Sequence, residues 1–393
     1  MIQPVKWLAQ FALVLMAGMP VRAEDLMTTK QVFEMAVFET QSGRKLKNVK
    51  VGWESYGTLN ADKSNAILIC HFFSGSSHAA GKYSPQEAAP GYWDAIIGPG
   101  KAIDTGKYFV LSSDTLVNLG ANDPAVITTG PASTDPDTNR PYGFGFPIVT
   151  IRDFVNVQKQ LVESLGIRKL VMVGGPSMGA LQTYEWAASY PEQVGRIMPV
   201  IGAAETDANL IGWLDIWASP IRLDPKWNGG DYYGREAPLK GLAQALKVVT
   251  LHAQHWDWAN ATFGRKWAKP ELDPAKSFDN RYLIEQTLDN AAEMRARTAD
   301  ANHFLYLVKA NQLFVAGGGL LADGLKRIKA PTLLISSPKD LLFPPSAIKA
   351  TQDGLSAGGT PVQTVTLEGN RGHLDGVLSM KQAEKQIAAF LAR

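Results

Sequence analysis

Over residues 150–204 the chain alternates helix, strand, helix and strand with few residues to spare, and this alternation constrains the fold more than any other feature. The stretch "TIRDFVNVQKQLVESLGI" places Phe154, Val157, Leu161 and Leu165 at helical spacing and stops at Gly166. "KLVMVGG" follows at once as a strand. A second helix then runs to about Tyr190, where Pro191 ends it. "VGRIMPVIGAA" is the next strand. Strands joined by single helices at this spacing predict a parallel sheet covered on both faces.

Upstream, "VFEMAVFE" and "NVKVGWESYG" read as two opening strands separated by turn residues. "NAILICHFF" reads as a buried strand ending in the loop "SGSSHAAG", and "KYFVLSSD" as another strand. Across 205–325 helical periodicity takes over and tryptophans collect: Trp213, Trp217, Trp227, Trp256, Trp258 and Trp267. The sheet resumes with "PTLLISSPKD" and "VQTVTLEGN", and "KQAEKQIAAFLAR" closes as an amphipathic helix. The expected architecture is α/β: a mostly parallel core built from 24–204 and 326–393, with a helical cap inserted over 205–325.

At the seam between the strand "KLVMVGG" and the helix after it stands Gly175-Pro176-Ser177-Met178-Gly179, of the form G-x-S-x-G. The bare pattern is weak, because a serine there can also be a helix N-cap. Between a strand and a helix it becomes a turn so tight that its flanks must be small, and the serine is pushed to the top of the sheet. Its hydroxyl then faces the crevice where ligands of parallel sheets bind. A serine hydroxyl needs a base, and the base needs a third group to hold it. Asp340 follows the strand "TLLISS" directly, and His373 follows the strand "VQTVTLE" in "NRGHLDGV". Both sit at carboxyl ends of strands, in the chain order Ser, Asp, His that this architecture uses. Ser177, Asp340 and His373 are therefore the candidate catalytic residues. Glu368, too close to the strand's end, and Asp375, two residues from His373, are the fallback acids.

The transition state of acyl transfer also needs donors for its oxyanion. The backbone amide of Met178 supplies one, and that of Phe72 or Phe73, in the loop after "NAILIC", supplies the other. His71 then reads as a loop-shaping residue. His252 and His255, at i and i+3 in "LHAQHWDW", match two ligands of a metal site but have no obvious third. "GPGK" at 98–101 lacks the glycine spacing of a phosphate loop and reads as a turn. His78 and His303 show no partner. The tryptophans read as cap packing, with one or two of them candidates to line the acyl pocket, whose shape depends on how cap residues such as Trp213 and Trp217 fold over the elbow. This chemistry requires no metal or nucleotide cofactor.

Lys and Arg total 39 and Asp and Glu 37, with no clustered basic run, so charge makes no case for nucleic acid or an anionic membrane. The single cysteine, Cys70, excludes an intramolecular disulfide and lies in an apolar run, so it reads as buried and inert. The opening "MIQPVKWLAQFALVLMAGMPVRAED" has a lysine, an apolar stretch too short to span a membrane comfortably, and Val21-Arg22-Ala23 in the form of a signal-peptidase site. The expectation is a signal peptide over 1–23 and an exported protein, periplasmic if the source is a Gram-negative bacterium, with no stable membrane insertion after processing.

The stretches "SYGTLNADKSNAILICH", "YWDAIIGPGKAIDTGKYFV", "RPYGFGFPIVTIRDFV", "GGPSMGALQTYEWAASYPEQV", "DPKWNGGDYY" and "LLFPP" resemble the homoserine O-acetyltransferase family of α/β-hydrolases. The resemblance covers nearly the whole chain after the leader. It implies an α/β-hydrolase fold with Ser177 as nucleophile, Asp340 as acid and His373 as base. It also implies a homodimer packed through the cap, and transfer of an acetyl group from acetyl-CoA to homoserine through an acyl-serine. The departures fall where the acceptor would sit. Pro176 and Ala180 replace two elbow glycines. Ala218 stands where the family usually has an arginine suited to the amino acid's carboxylate, and Leu374 where it usually has an aspartate suited to the ammonium. Arg222 and Asp375 lie nearby but out of register. Without those charges, and with a leader directing the chain away from cytoplasmic acetyl-CoA, the expected function is a serine hydrolase of a small ester. The alternatives are an O-acyltransferase of the family type and a non-catalytic binding protein on the same fold.

Overall fold

The computed structural model describes residues 26–393, so the leader expected over 1–23 lies outside the described residues. Eight strands form one sheet: β1 (Gln31–Glu39), β2 (Lys45–Tyr56), β3 (Ala66–Cys70), β4 (Phe109–Ser113), β5 (Met172–Pro176), β6 (Ile197–Val200), β7 (Thr332–Ser336) and β8 (Val362–Thr366). Their order across the sheet is β1-β2-β4-β3-β5-β6-β7-β8. The β1–β2 and β2–β4 pairs are antiparallel and all the others parallel. The sheet is therefore mostly parallel, as the helix–strand alternation predicts.

β3 shows why the parallel part reads as unbroken apolar runs. Its five residues are all buried, with Ala66, Leu68 and Cys70 packing into one core layer and Ile67 and Ile69 into the other. On one face lie α1 (Ile151–Ser164) and α2 (Met178–Ser189). α1 is started by a capping box in which Thr150 and Asp153 satisfy each other's backbone N–H groups. α2 is buried over nearly its whole length, which is why it carries no polar face.

Between β6 and β7 come α3 (Ala208–Leu223), α4 (Leu239–His252), α5 (Trp256–Thr262), α6 (Leu283–Ala296), α7 (Ala301–Gln312) and α8 (Leu321–Arg327). α3 packs on α4 and α7, and α4 on α6, forming the cap. α8 differs from its neighbours. It packs on α2 and on α9 (Pro345–Ala357), so it belongs to the sheet-covering layer and the expected boundary at 325 falls inside it. The Ala316 N–H is held by the Ala204 carbonyl at 2.8 Å and the Gly317 N–H by Glu185 of α2 at 2.8 Å, so the chain is back on the core before the helix begins. α10 (Glu384–Leu391) closes the second core layer through Ile387, Phe390 and Leu391. Among the described residues no helix is long and apolar enough to cross a membrane.

Candidate active site

The topology brings four loops to one edge of the sheet: those following the carboxyl ends of β3, β5, β7 and β8, beside the point where strand order reverses. Ser177 lies between β5 and α2 with φ 58° and ψ −120°, a conformation that costs a non-glycine residue roughly 1–3 kcal/mol. Its neighbours show how the turn is enforced. A Cβ at Gly175 would lie 2.3 Å from the Cys70 carbonyl oxygen, and one at Gly179 would lie 2.2 Å from the same atom. The serine's own N–H is held by the Val200 carbonyl at 2.9 Å.

Three side chains form a continuous hydrogen-bonded chain. Ser177 Oγ lies 2.7 Å from His373 Nε2, and His373 Nδ1 lies 2.8 Å from Asp340 Oδ2. All three are more than nine-tenths buried, so water competes weakly for these bonds. The other Asp340 oxygen, Oδ1, accepts the N–H groups of Leu342 at 2.8 Å and Phe343 at 3.0 Å. Asp340 is acceptor-only when ionised, so His373 Nδ1 carries the ring proton and Nε2 presents a lone pair to the hydroxyl. A hydroxyl aimed at such a lone pair can give up its proton as its oxygen attacks an acyl carbon. Phe343 stacks on the imidazole with centroids 5.9 Å apart and fixes its plane. The fallback acids are placed elsewhere. Glu368 is exposed, and the Asp375 carboxylate is taken by the hydroxyls of Ser379 at 3.1 Å and Ser337 at 3.4 Å.

The loop after β3 lies against this elbow, since a Cβ at Gly179 would also meet the His71 carbonyl oxygen at 3.2 Å. His71 clamps the loop. Asn118 Oδ1 accepts the Gly120 N–H, so its Nδ2 faces His71 Nε2 at 3.2 Å and the Gly75 carbonyl at 3.1 Å. His71 Nε2 is thereby the acceptor, and Nδ1–H donates to the Phe72 carbonyl at 2.7 Å. Burial pushes the His71 pKa down and keeps the ring neutral. The Phe72 carbonyl also accepts the Gly75 N–H at 2.9 Å. The 72–73 peptide is trans, so the Phe73 N–H points opposite to that carbonyl.

The family model for the alpha/beta hydrolase fold matches residues 98–376. The homoserine O-acetyltransferase of Methanococcoides burtonii is 40% identical over 357 residues, spanning 90% of this chain and 71% of that protein. The chain belongs to the homoserine O-acetyltransferase family of α/β-hydrolases. Two solved structures have the same backbone course. The homoserine O-acetyltransferase from Bacillus anthracis is 35% identical over 93% of this chain and 98% of its own, with a TM-score of 0.89. Esterase E22 is 52% identical over 93% of this chain and 100% of its own, also at 0.89. This member of the acetyltransferase family is thus an enzyme that transfers or hydrolyses an acyl group of a small molecule.

Its departures from the family pattern occupy informative places. Ala218 is fully buried in α3, and Leu374 is half-buried beside His373. Arg222 is engaged in an exposed pair with Asp215 at 2.6 Å, and Asp375 is held by the serines just named. The remaining histidines are built into the scaffold. His303 donates from Nδ1 to the Asn118 carbonyl at 2.8 Å and accepts the Ala132 N–H on Nε2 at 3.2 Å. His78 bonds Glu54 at 3.0 Å. Lys101 of "GPGK" pairs with Asp94 at 2.9 Å. His252 and His255 do not converge: His252 ends α4, while His255 caps α5 and takes the Asp257 N–H on Nδ1. The α4–α5 corner nevertheless reaches the site, because a Cβ at Gly372 would lie 3.2 Å from His255 N. Sequence spacing raised this histidine pair only as metal ligands and carried no signal of that contact.

Proposed function

We propose that this enzyme is an exported serine hydrolase that cleaves a small ester through an acyl-serine intermediate. In the first step His373 Nε2 takes the Ser177 proton as Oγ attacks the ester carbonyl carbon. The negative charge that develops on the carbonyl oxygen is held by the N–H of Met178, at the start of α2, and that of Phe73. Phe73 is preferred to Phe72 because the His71 clamp turns the Phe72 carbonyl inward and the following N–H outward. The imidazolium, stabilised by Asp340, returns its proton to the departing alcohol. Water then enters, His373 removes its proton, and the attack frees the acid and restores Ser177.

The observation that carries this reading is the Ser177–His373–Asp340 hydrogen-bonded chain, together with Ala218 and Leu374 at the two positions where the family usually carries charges for a zwitterionic acceptor. An α-amino acid such as homoserine brings a carboxylate and an ammonium, and each needs a partner once desolvated. Ala218 and Leu374 offer none, and Arg222 and Asp375 are engaged elsewhere. The 52% identity to esterase E22 supports the same reading, and the signal-peptide form of residues 1–23, the sequence pattern of a chain directed away from cytoplasmic acetyl-CoA, agrees with it.

The test uses two assays on the processed protein. Hydrolysis of 4-nitrophenyl acetate should fall by about 10⁶ in kcat in Ser177→Ala. CoA release from acetyl-CoA should not depend on homoserine. Homoserine-dependent release would instead establish the family's transferase activity. Absence of covalent labelling by a fluorophosphonate would point to a binding protein. A mature N-terminus still at Met1 would remove the localisation from the proposal.

A further inference from the structure

Resting on that reading, the cap contributes a group the reaction scheme does not yet use. His252 closes α4, and its ring stacks on Trp213 of α3 with centroids 4.1 Å apart and planes 27° apart. Trp217, one turn further along α3, donates its indole Nε1–H to His252 Nδ1 at 3.2 Å. An indole nitrogen only donates, so Nδ1 is the acceptor and the single ring proton lies on Nε2. Burial, and then the neighbouring His373, lower the pKa of His252 to about 4, while the nearby Asp340 carboxylate pulls the other way, so the ring is neutral and the Nδ1 lone pair remains available.

The same Trp217 ring meets the Phe73 ring edge-on at 5.6 Å, and Phe73 meets Phe304 of α7 edge-on at 5.3 Å. Phe73 is therefore held from two sides. From the core, the His71 clamp sets the plane of the 72–73 peptide. From the cap, the tryptophan seats the side chain. Trp217 is more than nine-tenths buried and its only polar atom is spent on His252. Without that acceptor the indole N–H would be left unpaired, and the ring would have reason to turn away from Phe73.

We propose that His252 is a positioning residue which, by accepting the Trp217 indole hydrogen bond, locks the Phe73 ring and so aims the Phe73 backbone N–H at the oxyanion. The cap is then part of the transition-state machinery as well as a wall of the pocket. His252 never touches the reacting atoms in this scheme.

The experiment compares His252→Phe, His252→Asn, Trp217→Phe and the double variant His252→Phe/Trp217→Phe. His252→Phe keeps the stack on Trp213 but loses the acceptor. His252→Asn places an amide oxygen near the position of Nδ1. Active sites are counted by fluorophosphonate titration, so kcat refers to folded enzyme only. The expected result is a loss of about tenfold in kcat for His252→Phe and for Trp217→Phe, with KM within about threefold, as a partial loss of one oxyanion donor should give. The double variant should lose no more than either single one, because one interaction is removed in each. His252→Asn should recover most of the loss. A second readout is specific to the oxyanion: the rate ratio of an oxygen ester to its thionoester should narrow in His252→Phe, because sulfur gains little from a well-aimed N–H. Additive losses, wild-type kcat in His252→Phe, or an unchanged oxygen-to-sulfur ratio would overturn the proposal. Unlabelled wild-type enzyme that shows no Ser177-dependent hydrolysis would overturn the reading beneath it as well. A labelled, active wild type with an indifferent His252 overturns this inference alone.

Discussion

Replacing Asp340 by asparagine tests the logic of the site more sharply than deleting it. The side chain is pinned at one oxygen, because Oδ1 accepts two backbone N–H groups, from Leu342 and Phe343. In Asp340→Asn the amide oxygen must keep that place. Reversing the amide would set an NH₂ against two N–H donors and leave them unpaired, at about 1–3 kcal/mol each. The NH₂ is therefore forced toward His373 Nδ1, where the carboxylate oxygen now lies at 2.8 Å. Two donors cannot face each other, so the imidazole must move its proton to Nε2. The nitrogen that lies 2.7 Å from Ser177 Oγ then has no lone pair to receive a proton. A locked wrong tautomer costs about 10⁴ in kcat, which is about 5.5 kcal/mol at 1.36 kcal/mol per decade. KM for 4-nitrophenyl acetate should stay within about threefold, since Asp340 lies behind the imidazole and not beside the acyl group. Steady-state kinetics give both constants, and a thermal unfolding midpoint within a few degrees of wild type shows that the loop has survived. If Asp340→Asn keeps more than about one-tenth of the wild-type kcat, the carboxylate does not set the tautomer and this account of the proton relay is wrong.

Three further outcomes follow from the packing. Gly179→Ala places a Cβ 2.2 Å from the Cys70 carbonyl oxygen, a contact that only a backbone shift can relieve, so urea unfolding should show a loss of about 3 kcal/mol or no soluble protein. For Glu54, burial raises the pKa, but the His78 hydrogen bond, the Lys30 charge and the Tyr83 hydroxyl outweigh it and hold the carboxyl at about 2, below its ordinary 4.5. A depressed folded pKa gives stability that is present above 4.5 and lost as pH falls through 2. Unfolding free energy should accordingly drop by about 3 kcal/mol more in wild type than in Glu54→Gln across that window, and parallel curves would contradict it. Burial also drives the Cys70 thiol far above its ordinary range, so iodoacetamide should leave the native protein unmodified and label one thiol after denaturation.

The parts of the fold legible in the sequence were those with a local signal. The helical spacing of Phe154, Val157, Leu161 and Leu165 led directly to α1, and the apolar runs led to the strands of the parallel sheet. α9 carried no comparable expectation, because proline, serine and glycine interrupt its apolar face. The boundary inside α8 was misplaced because its helical pattern does not say which layer it covers.

For the site the same division holds. Chain order and turn chemistry nominated Ser177, Asp340 and His373 as candidates, since each stands just past a strand's carboxyl end and that position is written locally, and the fold joins the three in one hydrogen-bonded chain. The direction of the peptide plane between Phe72 and Phe73, which the proposed oxyanion donor rests on, is set by His71 and, through it, by Asn118, and no local pattern announces it. That His252 accepts the Trp217 indole N–H depended on two helices meeting across 35 residues of chain. A strand or an elbow repeats a pattern that neighbours in sequence can reveal, whereas a contact between cap and core exists only once the chain has closed on itself.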